Sequence, residues 1–142
     1  MQIIVNFLTF VRLSCIIKWR IYLFIHTIMD IKGIISSFRE LTTQQKQDKL
    51  VSVLQWLQDR DSVFASLLQK VSHDEPNDDT LLVLYYDIMM FAQAVENYNT
   101  SQDESALKQG QVYMQKLRDR EKQEQIATAE ELAHIESELE NI

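Results

Sequence analysis

The residues able to do chemistry in this sequence are few and scattered. Glu131-Leu132-Ala133-His134 has the Glu-x-x-His spacing that puts two metal ligands on one face of a helix, as in di-iron bundles. Such a centre needs a second Glu-x-x-His and two further glutamates from other helices. His26 and His73, the other histidines, have no Glu three residues before them. Glu131 and His134 therefore read as solvated members of an acidic helix. His73, Asp74, Asp78 and Asp79 cluster donor atoms, but Pro76 and the missing central glycine argue against a calcium loop, leaving a solvated acidic linker. Cys15 lies among apolar residues with His26 far along the same segment, which favours an inert cysteine over a catalytic pair.

Other candidates reduce to structure in the same way. Tyr85, Tyr86, Met89, Met90 and Phe91 could line a cofactor pocket, yet at helical spacing such a stripe is core. Asp87, inside that run, is the one carboxylate placed to have a perturbed pKa. It shares a side with Thr80 and Ala94 and reads as part of a narrow exposed stripe; burial with Arg60 or Arg118 as partner is the alternative. Lys116, Arg118, Arg120 and Lys122 alternate with acids and lack aromatic neighbours on their face, a poor nucleic-acid surface. Gly33 and Gly110 stand alone, so the Gly-rich phosphate loops and the nucleophile elbow are missing. The expectation is a non-enzymatic protein with no cofactor and no metal.

The elements that carry these residues are helical. Two glycines and one proline leave few turn residues for a many-stranded fold. Ile31, Ile34, Ile35, Phe38 and Leu41 form one apolar helical stripe. Thr42 with Gln45 has the capping-box form and opens a helix bearing Leu50, Val53, Leu54 and Leu57. The pattern resumes at Val63, Phe64, Leu67, Leu68 and Val71, in phase across Asp61. The phase favours one long helix over residues 43–72; a second helix capped by Asp61 or Ser62 is the alternative.

After the linker around Pro76, Asp78 or Asp79 is expected to cap a helix over 79–98, apolar nearly all round and so central. Ser101 with Glu104 again fits a capping box. A last helix is expected from about 102 toward the end, solvated over 118–125. The helical pair over 79–117 lacks the Trp, Leu, Gly and Tyr positions and the closing Pro of a tetratricopeptide repeat.

The tail is the most informative surface. Beyond Lys122 there is no Lys or Arg, and Glu124, Glu130, Glu131, Glu136, Glu138 and Glu140 follow. Acids at a helix C-terminus oppose the macrodipole, which a basic partner or self-association would offset. Leu132, Ile135, Leu139 and Ile142 step by three, four and three, a short coiled-coil-like seam. With Glu131 and Glu138 they form the candidate interaction surface; a tail folded back on the body is the competing reading.

Charge is unevenly divided along the chain. The whole chain carries a formal charge of -7, but residues 1–28 hold three bases and no acid, while the remainder holds the other 11 bases and all 21 acids. That acidity makes general nucleic-acid binding unfavourable. A lone cysteine excludes an internal disulfide. The leader, residues 1–28, has no signal-peptide order, and Arg12, Lys18 and Arg20 interrupt any spanning run. It reads either as upstream sequence translated from too early a start, with Met29 as the true one, or as a membrane anchor over residues 3–28.

These observations predict an all-α protein: an up-down helical bundle of three to five helices with a long charged C-terminal helix. The divisions are the 1–28 leader, a 29–122 bundle and a 123–142 acidic tail. The expected function is a cytoplasmic protein–protein interaction or scaffold module binding a protein partner, or itself, through the C-terminal helix. A membrane-tethered helical domain is the alternative, and a metal-binding bundle or enzyme a more distant one.

Overall fold

The computed structural model describes residues 31–73, 77–123 and 127–140, and over these the chain is all-α. Its helices are α1 (Ile31–Arg39), α2 (Thr43–Leu57), α3 (Ser62–His73), α4 (Asp78–Ser101), α5 (Glu104–Lys122) and α6 (Ala129–Glu140). The readings placed on the 1–28 leader, with Cys15 and His26, on Asp74 and Pro76, on Glu124 and on Ile142 lie outside the described residues. Among the described residues no helix is long and apolar enough to cross a membrane.

The helices pack as a bundle around α4, whose residues from Leu81 to Met89 are all buried. A helix apolar on nearly every side can satisfy that surface only at the centre of a bundle. α4 packs most extensively against α5 and also touches α1, α2 and α6; α2 pairs with α3, and α3 reaches α5. The predicted stripe of α1 is the buried one, with Phe38 stacked on Tyr85 at 4.1 Å between ring centroids and 6° between planes. Phe64 of α3 meets Phe91 of α4 at 6.2 Å.

The helix boundaries carry the physical detail. The capping box predicted at Thr42 and Gln45 is present in both directions. Three other boundaries differ from expectation. Residues 43–72 are two helices, because the Asp61 carboxylate accepts from the Val63 N–H at 3.0 Å and its carbonyl from the Phe64 N–H, starting α3. Asn77, rather than Asp78 or Asp79, caps α4 by accepting from the Thr80 N–H at 2.8 Å; the two aspartates occupy the first turn, where their charge suits the dipole. Asp103, rather than Ser101, caps α5, and Ser101 ends α4.

The expected long C-terminal helix is also two. Gln123 ends α5 in extended backbone. Thr128 then opens α6 through a second capping box, its hydroxyl accepting from the Glu131 N–H while its own N–H donates to the Glu131 carboxylate. These two breaks raise the count to six helices among the described residues, above the three to five expected.

The end of α5 is tied down from α3. The Lys70 ammonium donates to the carbonyls of Arg120 at 3.0 Å, Glu121 at 3.1 Å and Gln123. Carbonyls at a helix C-terminus lack the usual intrahelical partner, although that of Arg120 also accepts from the Gln123 N–H, and a cation there matches the negative end of the dipole. The clamp holds the backbone of Arg120 itself.

Candidate functional site

The helices place one cluster of polar chemistry inside the molecule, where α4, α5 and α6 meet. Asp87 projects from the apolar run of α4 and is 2% exposed, not part of an exposed stripe. Its partner is neither Arg60 nor Arg118 but Arg120, whose Nε lies 2.5 Å from the Asp87 carboxylate. Arg120 is 5% exposed, so the segment expected to be solvated supplies a core cation. Arg118 goes instead to Asp61, at 2.9 Å.

Arg120 also reaches outward. Its Nη1 donates to the Glu131 carboxylate at 3.1 Å, so one guanidinium links α4, α5 and α6. Burial pushes the Asp87 carboxyl above the ordinary carboxylate range, with Arg120 pulling against it. Burial likewise works against the charge of Arg120, but Asp87 and Glu131 outweigh it and hold the guanidinium more firmly protonated. A guanidinium does not give up its proton near neutrality, so Arg120 keeps its charge beside Asp87. The shift toward protonation at Asp87 reflects how costly its burial is.

A second polar contact lies beside the first. The Tyr86 hydroxyl donates to the Glu138 carboxylate. Burial, and then that carboxylate, raise the Tyr86 pKa far above its usual value. Tyr113 of α5 packs edge-on to Tyr86 at 6.4 Å, and Lys116 lies over the Tyr113 ring at 4.8 Å. The second oxygen of Glu138 is 3.1 Å from His134 Nε2. On the far side of α6, Glu136 meets Arg39 of α1 at 2.9 Å. Between the helices is an open cleft of about 250 Å³, with Asp87, Lys116, Arg120, Glu131 and His134 on its walls.

The described residues singled out from the sequence each have a place. Glu131 and His134 do face the same cleft, but the Glu131 carboxylate is committed to Arg120 and Thr128, and His134 is mostly exposed. Among the described residues no three His, Cys, Asp or Glu side chains are grouped to hold a metal ion. Asp78 binds Thr43 and Lys46 rather than forming a cation site with His73 and Asp79. Tyr85, Tyr86, Met89 and Phe91 are core, and Met90 is partly buried against it. Lys116, Arg118, Arg120 and Lys122 are dispersed: one over a ring, one on Asp61, one buried, one exposed.

The candidate seam faces inward. Ile135 is 2% exposed and Leu139 is buried, and Leu132 is packed against the same core. Glu131 and Glu138 flank this stripe and bind Arg120 and Tyr86. The described residues read as a surface for association are the ones by which α6 rests on its own bundle. Within the expected 123–142 tail, Ala129–Glu140 is a docked helix.

Comparison with protein-family models, with characterised proteins and with solved structures yields no match. Physically, the cluster attaches one short acidic helix to a bundle through paired charges around a narrow apolar stripe.

Proposed function

We propose that this chain is a non-enzymatic helical interaction module in which α6 is an exchangeable contact element. The observation that carries the reading is an imbalance in how α6 is held. The apolar core is built from α1 to α5, and α6 itself adds two fully inserted large side chains, Ile135 and Leu139. Two such side chains supply about 3–6 kcal/mol of gross burial. Leu132 adds a partly buried contact, and the other ties are polar: Arg39 to Glu136, Arg120 to Glu131 and Tyr86 to Glu138. Elements with few apolar contacts are the ones that open locally without global unfolding.

In this reading α6 alternates between its own bundle and an open state in which both faces of the contact become available to a protein partner. The module is placed in the cytoplasm, in keeping with a chain that has a single cysteine and so no internal disulfide. The membrane-tethered alternative depends on residues 3–28, outside the described residues.

The test is a chain ended after Gln123. The account expects it to keep its far-UV helical signal, less the share of α6, and a cooperative urea transition. Loss of cooperativity would show that α6 belongs to the core and cannot be a separable contact element.

A further inference from the structure

The groove beneath α6 describes the kind of helix it accepts. With about 100° between successive helix residues, Glu131 can be taken as the origin of α6 viewed down its axis. Ile135, Leu139 and Leu132 then fall at about 40°, 80° and 100°, and Glu136 at about 140°. A narrow apolar stripe thus runs between two acidic borders. The bundle matches it with Val83 and Tyr86, which line one cleft with Ile135, Arg120 against one border and Arg39 against the other.

We propose that this groove, formed by α1, α4 and α5, is a receptor site for an acidic amphipathic helix of a partner protein. α6 is the tethered competitor that fills it in the isolated chain. This deepens the module reading above and rests on it. The recognised pattern is apolar residues spaced by three and then four, with an acid just before the first and another just after the second, as in Glu131, Leu132, Ile135, Glu136 and Leu139.

α6 is a weak occupant of the site. It has no base in its last turn, so Glu138 and Glu140 sit at the unfavourable end of its dipole. Its 12 residues are a length that is marginal as a free helix. Its hold comes from being covalently close, since a short connection gives an effective concentration of the order of millimolar. A second copy of this chain would bring the same α6 and the same contacts, and so gain nothing over the closed form. A partner helix that is longer, or better matched at its C-terminal end, has affinity in reserve and displaces it.

The experiment uses the full chain and a fluorescent synthetic peptide of residues 127–140, followed by anisotropy. Glu131→Gln in the chain weakens the internal helix without touching the groove. The peptide should bind that variant about tenfold more tightly than it binds the wild-type chain, because apparent affinity scales with the open fraction. Arg39→Glu supplies the specificity arm: this variant should prefer a peptide carrying Glu136→Arg, and the wild-type chain the native peptide. Equal affinity of both peptides for both chains overturns the proposal, as does dimerisation of Glu131→Gln, which would make a second copy the occupant. Hydrogen exchange of α6 in Glu131→Gln separates the two levels. Faster exchange with no peptide bound defeats the receptor site alone; unchanged exchange with no peptide bound defeats the exchangeable helix as well.

Discussion

Replacing Arg120 with methionine strands Asp87. The methionine can follow the aliphatic stem of the arginine, so the main change is the loss of the guanidinium 2.5 Å from a carboxylate that is 2% exposed. Removing one member of a buried ion pair costs about 3–5 kcal/mol, because the other charge is left without a partner. For a body of this size that lowers Tm by roughly 12–30 °C. Asp87→Val together with Arg120→Met removes both charges and should lie within about 1.5 kcal/mol of wild type, since an apolar substitute for a buried pair is often near neutral.

The pH dependence carries its own sign. Burial already raises the Asp87 pKa and Arg120 opposes it, so Arg120→Met raises it further. The folded state then holds a proton that the unfolded carboxyl, with a pKa of about 3.9, has released. Stability of the variant therefore rises as pH falls from neutrality toward 4, and its deficit against wild type narrows. Urea denaturation followed by circular dichroism at pH 7 and pH 4.5 measures all three chains. A loss below about 1 kcal/mol for Arg120→Met, or a double variant less stable than Arg120→Met alone, refutes the reasoning.

Three smaller perturbations test the boundaries. Thr42→Ala removes the hydroxyl half of the α2 capping box and should lower stability by about 1 kcal/mol in the same denaturation assay. Lys70→Met takes an ammonium away from three carbonyls at the end of α5 and should cost about 1–2 kcal/mol, with faster amide exchange in the last turn of α5. Gln102 ends α4 at φ 56°, a left-handed conformation that glycine adopts freely, so Gln102→Gly should raise stability by about 0.5–1 kcal/mol.

What was legible in the sequence was local. Thr42 and Gln45 are three residues apart, and their reciprocal bonds depend on little else. The stripe through Ile34, Ile35 and Phe38 follows from period alone, as does the central place of α4. The Asp87–Arg120 pair is different in kind. Its members are 33 residues apart, and their meeting depends on the turn at Gln102 and on Lys70 fixing the end of α5. A lone acid in an apolar helix signals that some cation must be near, but not which one; α5 alone carries five bases. The break before α6 did have a local signal, Thr128 followed three residues later by Glu131. Apolar spacing resuming at Ile126 disguises it as a continuing helix. At Asp61 the conflict ran the same way: heptad phase carried across a residue whose carboxylate preferred to start a new helix.

In the proposed module, α6 opens from a bundle that stays folded. Hydrogen exchange of the full-length wild-type chain, resolved by mass spectrometry at neutral pH, tests it most directly. The account predicts that amides of Ala129–Glu140 exchange through an opening of lower free energy than the one protecting Leu81–Val95 of α4, with urea affecting the first only slightly. Equal protection of α6 and α4, lost together at one urea concentration, would contradict it.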